Sequence, residues 1–150
     1  MSRAFVKESS ESAPPPEKMV EDGPNPVTLE GMARIEAQVA RLEAALQIEP
    51  NVLLRETLAR DLRYWSQRKL SAEIAPPSPD DTVAFGSTVT ITRKGRTQRF
   101  RIVGVDEADA AKGLISFRAP LAAAVMGGRE GDVIEAAEPL GEIAILAIAT

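Results

Sequence analysis

Apolar residues recur at helical spacing from Leu29 onward. Leu29, Met32, Ile35, Val39, Leu42 and Leu46 are separated by 3, 3, 4, 3 and 4 positions. Those steps approach the 3.5-residue repeat of a coiled-coil seam. Glu30, Arg34, Glu36, Gln38, Arg41 and Glu43 fall off the seam. Thr28 stands at the N-cap position, where its hydroxyl can satisfy a free backbone N–H. The spacing predicts a helix from Leu29 to Gln47, roughly 28 Å long at 1.5 Å per residue. Glu49-Pro50-Asn51 interrupts the pattern, because proline disfavours helix in the residue before it and tolerates the first turn of a new one. A second helix is expected from Asn51 or Val52 to Glu73, with Leu54, Leu58, Leu62 and Trp65 along its apolar face and Tyr64 off it. So short a connection makes the two helices antiparallel neighbours, an αα-hairpin over residues 28–75.

Ala75-Pro76-Pro77-Ser78-Pro79 ends the second helix, and residues 76–81 read as a stiff linker. From Thr82 the period changes to that of strands. Ser87 to Thr92 alternates, with Val89 and Ile91 on one face. Arg93-Lys94-Gly95-Arg96 is a turn, and Thr97 to Val105 returns. Leu114 to Phe117, Asp132 to Ala137 and Glu142 to Ile148 are further strands. Ala119 to Met126 is one short helix, opened by Pro120 and closed by Gly127-Gly128. Residues 82–150 are therefore expected to form a mostly antiparallel α+β domain. Residues 1–27, rich in Ser and Pro, read as a disordered tail in which only Phe5 and Val6 could anchor anything.

Composition narrows the chemistry. The 150 residues include no Cys and no His. That excludes disulfides, thiol nucleophiles, Ser-His-Asp catalysis and His-based metal sites. The net charge of −4 is too mild to drive bulk attraction to nucleic acid or anionic membrane. No apolar run reaches the ~18–20 residues that span a bilayer. The expectation is a cytoplasmic protein with no membrane partner.

The C-terminal region carries a set of ordered landmarks. They are Phe85-Gly86-Ser87, then Gln98 to Glu107, then Ile115-Ser116-Phe117-Arg118-Ala119-Pro120 followed by the small-residue stretch Leu121 to Met126. Glu130-Gly131-Asp132 and the Pro139-x-Gly141-Glu142 turn follow. In order and spacing this resembles the second domain of the bacterial GreA/GreB transcription elongation factors, nearest the GreB side. Thr28-Leu29-Glu30-Gly31 resembles that family's helix start. The resemblance implies a coiled-coil hairpin followed by an FKBP-like domain with an antiparallel sheet and one short helix. It implies a bacterial RNA polymerase partner, gripped by the C-terminal domain at the secondary-channel rim. The family's coiled coil enters the channel, and acids at its tip help hold a second Mg²⁺ that activates water to cleave backtracked RNA. Two-metal chemistry of that kind requires carboxylates.

Here the family's acidic tip run is absent. Between the helices lie Gln47-Ile48-Glu49-Pro50-Asn51-Val52, and the hairpin is shorter than a Gre coiled coil by roughly two turns per helix. Short-coil relatives of the Rnk type likewise lack the cleavage acids. The candidate channel tip is Glu49, Pro50 and Asn51. Glu49 either holds Mg²⁺ weakly or is solvated. The candidate polymerase-binding residues are Asp106, Glu107, Ser116, Arg118, Ala119 and Pro120. The bland alternatives are that Pro120 only starts a helix and that the acidic pair caps a turn. Arg93, Lys94, Arg96, Arg99 and Arg101 put five cations on one hairpin without a base-stacking platform. A solvated turn with an acidic protein partner is favoured there, with direct nucleic-acid binding weak or absent. The expected function is a monomeric, non-enzymatic polymerase regulator with no catalytic residue, metal site or cofactor of its own. Two alternatives stand beside it: a cleavage-stimulating factor using Glu49, and an FKBP-like peptidyl-prolyl isomerase.

Overall fold

The structure is a computed structural model and describes residues 13–150. Phe5 and Val6 lie outside the described residues. The described chain divides into two compact units: residues 13–24 with 33–71, and residues 25–32 with 72–150. The boundaries expected at 27/28 and 75/76 therefore shift, because the root of the hairpin belongs to the C-terminal unit.

In the first unit, helix α1 (Leu29–Ile48) and helix α2 (Val52–Ser71) form the hairpin, each 20 residues long. Beyond Gly31, α1 is built mostly from Ala, Glu, Arg, Gln and Leu, with no Gly or Pro to break it. Ile35, Val39 and Leu42 are buried, as the heptad spacing demands, whereas Leu29 and Leu54 at the ends of the seam are exposed. Trp65 and Tyr64 are both half-buried and meet edge to face at 5.2 Å between ring centroids. Arg68 and Lys69 close α2, where cations favour the helix dipole.

The segment read as a free tail is held at Glu17 and Lys18 by charge. The Glu17 carboxylate pairs with Arg63, and Lys18 Nζ lies 3.0 Å from Asp61 and over the Tyr64 ring. Hydrogen bonds from Arg63 hold the Glu17 carboxyl below its ordinary value of 4.5. Desolvation would raise Asp61, but hydrogen bonds from Lys18 and Arg60 outweigh it and leave that carboxyl below 3.8. A search for apolar periodicity does not register such pairings.

The second unit contains a five-stranded sheet in the order β5-β4-β3-β7-β6. Its strands are β3 (Thr88–Arg93), β4 (Arg96–Val103), β5 (Leu114–Ser116), β6 (Val133–Glu135) and β7 (Glu142–Ala149). Three pairings are antiparallel, but β4 and β5 run parallel, so the sheet is mixed rather than antiparallel throughout. The crossover uses two 3₁₀ turns, Val105–Glu107 and Ala110–Lys112. Val89, Ile91, Phe100, Ile102, Ile143 and Ile145 form the core with Val125 of the short helix α3 (Pro120–Val125).

A bulge in β7 lets the core include Ile148 as well. The register runs Thr90↔Ala147 and then Ile91↔Ile145, which leaves Leu146 unpaired and half exposed. Without that extra residue, strict alternation would send Ile148 to the face opposite Ile145. A two-stranded parallel ribbon completes the unit: β1 (Asn25–Val27) pairs with β2 (Ala72–Ile74). Both strands fall where the sequence pattern suggested tail and helix end.

Candidate functional site

Two places hold the residues singled out in the sequence. The first is the corner that follows β5. Phe117 N donates to Val103 O at 2.9 Å, which anchors the corner to β4. Ser116 then closes the turn twice: its Oγ accepts from Arg118 N at 3.1 Å and its carbonyl accepts from Ala119 N at 2.9 Å. Ala119 is extended (φ −62°, ψ 143°), as a residue before proline must be, and Pro120 enters α3 with its φ already set. Arg118 is exposed, with its guanidinium 5.6 Å from the centroid of the Phe117 ring, and Phe117 meets Phe85 edge to face at 5.8 Å. The corner is thus fixed by its backbone and presents Arg118 and Pro120 to solvent.

Asp106 is half-buried on the Val105–Glu107 turn, which packs beside β5. Glu107 does not share that exposure. It is 6% exposed, and its carboxylate is fully engaged. Oε2 accepts from Thr28 N at 3.1 Å and Gly104 N at 2.9 Å, while Thr28 Oγ1 donates to Oε1. Gly31 N in turn donates to Thr28 Oγ1 at 3.0 Å, the N-cap bond expected of Thr28. Two glycines make the cluster possible. A Cβ on Gly31 would lie 2.2 Å from Glu107 Cδ, and one on Gly104 would lie 2.6 Å from Pro26 O. Glu107 is therefore removed from the candidate contact surface, because its charge is spent on holding the start of α1. Thr28 to Gly31 and Gly104 to Glu107, about 80 positions apart in the chain, are two halves of one buried cluster.

The second place is the hairpin tip. Glu49 Oε1 accepts from Asn51 N at 3.0 Å, and Asn51 Oδ1 accepts from Leu54 N at 3.1 Å as the N-cap of α2. Arg55 Nη1 donates to Leu46 O and Glu49 O, both at 3.1 Å, and so ties the end of α1 to the start of α2. Around Pro50 the surface is apolar: Ile48 is 82% exposed and Val52 68%, with Leu53 and Leu54 exposed beside them. No group of three acidic residues able to hold a metal ion occurs among the described residues. Glu49, the carboxylate of the tip, gives one oxygen to a backbone N–H. The apolar tip was legible in Ile48, Val52, Leu53 and Leu54, which the search for acids passed over.

A cavity of about 380 Å³ in the C-terminal unit is lined by Leu29, Ile74, Pro76, Pro77, Phe85 and Arg101, among others. Arg101 lies 3.7 Å from Glu30 across it. The Glu30 carboxyl is held below its ordinary value first by a backbone hydrogen bond and then by the Arg101 charge. Among the described residues no helix is long and apolar enough to cross a membrane.

Residues 78–150 match the family described as transcription elongation factor, GreA/GreB, C-term. Transcription elongation factor GreB of Neisseria meningitidis serogroup A is 39% identical over 95 residues, a match covering 59% of this chain and 58% of that protein. GreA of Cereibacter sphaeroides is 43% identical over 77 residues, covering 49% and 50%. GreB of Yersinia pestis is 34% identical over 120 residues, covering 78% of this chain and 70% of that protein. The chain thus spans 58% of the Neisseria protein and half of the Cereibacter one, while its match to the Yersinia protein reaches into the hairpin as well as the C-terminal domain. On that match and on the C-terminal landmarks, the chain belongs to the GreA/GreB family of transcription elongation factors.

Proposed function

We propose that this chain binds bacterial RNA polymerase at the rim of the secondary channel and modulates elongation without stimulating transcript cleavage, acting as a cytoplasmic monomer. The observation that carries this reading is the hairpin tip. Its one carboxylate, Glu49, accepts from Asn51 N, and its exposed side chains are Ile48, Val52, Leu53 and Leu54. Mg²⁺ prefers near-octahedral oxygen ligands and is usually held through one or two carboxylates. A tip with one carboxylate, one oxygen of which already accepts from Asn51 N, offers a second ion fewer ligands than the run of acids on the family's tip. Each helix, at 20 residues, is about 30 Å long at 1.5 Å per residue.

What supports the docking role is the corner at Ser116–Pro120. A rigid turn that projects an arginine and a proline from a scaffold is a common recognition geometry. Arg118 gains rigidity from the Phe117 ring beneath it. Nothing favours the isomerase alternative: the 380 Å³ cavity has Phe85 as its one aromatic wall, and a proline pocket calls for more apolar enclosure.

The deciding experiment uses stalled, backtracked polymerase complexes. The chain added alone is expected to release no cleaved RNA beyond the polymerase's own slow rate. Added with a limiting amount of a cleavage-competent Gre factor, it is expected to slow cleavage by competing for the rim. Robust cleavage that disappears in Glu49→Ala would overturn the reading.

A further inference from the structure

The end of the β3–β4 hairpin carries positive charge that the fold does not use. The side chains of Arg93, Lys94, Arg96 and Arg99 make no ion pair or hydrogen bond with a described residue. The contrast with other arginines is sharp: Arg55, Arg60, Arg63 and Arg101 all donate to a carboxylate or a carbonyl.

Holding these cations here is also unfavourable, in three separate ways. Arg93 and Arg96 stand directly opposite each other across the strands, where like charges destabilise a sheet. Arg93 Nε is buried without an acceptor. Lys94 sits in the left-handed region at φ 52°, at a turn position where Asn, Asp or Gly is favoured.

The neighbouring side chains identify the partner. Thr97 and Gln98 are exposed beside the arginines, and Phe100 is buried in the core. No exposed aliphatic or aromatic side chain lies between Thr92 and Arg99. A protein partner is held by apolar or aromatic anchors at the centre of its interface, and this surface has none. Phosphate oxygens need no such anchor and take their hydrogen bonds from Arg, Lys, Thr and Gln. The structure thus turns the sequence expectation of an acidic protein partner toward phosphate.

We propose that the end of the β3–β4 hairpin binds the phosphodiester backbone of a nucleic-acid strand, weakly and without regard to base sequence. Arg93, Lys94 and Arg96 form the contact at the turn; Arg99, three residues beyond Arg96 on β4, projects from the opposite face of the strand. Without an aromatic platform there is no base stacking, so affinity rests on charge and falls with salt. Glu138 and Glu142 line the same cavity of about 370 Å³ as Arg93 and Lys94, without an ion pair to either. Their carboxylates oppose an incoming phosphate and limit the affinity.

The test is fluorescence anisotropy of a labelled, mixed-sequence single-stranded RNA titrated with the full chain at low salt. No polymerase is present, so the outcome is independent of the docking reading above. Expected is saturable binding whose log–log salt slope is near −2, as about three contacts to a single strand give. Arg93→Glu with Arg96→Glu weakens it by about ten-fold or more and flattens the slope. Lys94→Gly, which also relieves the left-handed backbone and so keeps the fold, weakens it about two- to five-fold. Glu138→Gln with Glu142→Gln strengthens it. Single-stranded DNA of the same sequence binds within about three-fold of RNA, because the contacts go to phosphate. No binding at low salt, binding unchanged in both cation variants, tighter binding to a polyglutamate peptide than to RNA, or a marked preference for one nucleic acid would each overturn the proposal.

Discussion

The two tight turns that end this protein's hairpins treat their polar groups in opposite ways. At the α1–α2 tip, Glu49, Asn51 and Arg55 are consumed by capping and cross-linking bonds, and what remains for a partner is aliphatic. At the β3–β4 turn, the side chains of Arg93, Lys94 and Arg96 have no ion-pair or hydrogen-bond partner among the described residues, while the aliphatic and aromatic side chains nearby point into the core. In sequence, each turn shows a proline or glycine next to a charged residue. The lesson is that a charged residue signals function through the partners it lacks rather than through its presence. Glu107 is the limiting case of a charge spent internally, since its carboxylate accepts bonds from Thr28 N, Thr28 Oγ1 and Gly104 N.

The contrast can be broken by substitution, and the largest effect is expected at Glu107. Glu107→Ala leaves buried donors on Thr28 and Gly104 unpaired and should lower unfolding free energy by about 2–4 kcal/mol, measured by urea titration. Gly31→Ala sharpens the point. Alanine in a helix interior normally adds about 1 kcal/mol over glycine, yet here the new methyl would overlap Glu107 and the net effect should be a loss. In the double variant the methyl has space, so the two substitutions should cost less together than their sum. A stabilised Gly31→Ala protein would sink the cluster.

Next in size is the tip. Asn51→Ala removes the cap of α2 and should cost about 1 kcal/mol in the same titration. An unchanged midpoint would mean that the tip's polar groups are free for a partner after all. Arg118→Glu, at the exposed corner, should leave the melting temperature alone and weaken polymerase binding several-fold, on the order of 1 kcal/mol, as read by competition with a labelled Gre factor. Whole-chain variants are the right tool for this. A fragment starting at residue 76 would lose β1, β2 and Thr28, and with Thr28 two of the three donors to Glu107.

A smaller effect is expected of Arg93→Glu with Arg96→Glu on stability. Replacing one directly opposed like-charge pair by another should change unfolding free energy by no more than about 0.5 kcal/mol in either direction. A large loss would show that these cations are structural, and the two turns would then no longer differ in kind. The smallest effect concerns pH. Glu17 and Asp61 both titrate below their ordinary values of 4.5 and 3.8 in the folded chain. A depressed carboxylate contributes stability that is fully present above its unfolded value and is lost as pH falls through the folded one. Anchoring of the Glu17–Lys18 segment should therefore be flat across neutral pH and weaken only in acid below those values, followed by amide exchange at residues 17–20. Loosening between pH 6 and 8 would contradict the pairing.

The elements with long or repeated patterns were legible in the sequence. Ile35, Val39 and Leu42 are buried at heptad spacing, and Val89, Ile91, Phe100 and Ile102 line the core as alternation requires. Thr28 caps α1 because a hydroxyl before a helix has few better uses. Hydrophobic period fixes such elements locally, since which face is apolar depends only on residues within a few turns. The tertiary structure alone decided the rest. β1 and β2 are three residues each, too short for any period to show, and they exist because the chain brings them together across 47 positions. The bulge at Leu146, the parallel β4–β5 pairing and the burial of Glu107 likewise depend on partners distant in sequence. A carboxylate's role is set by which donors reach it, and for Glu107 two of the three, Thr28 N and Thr28 Oγ1, come from the other end of the chain.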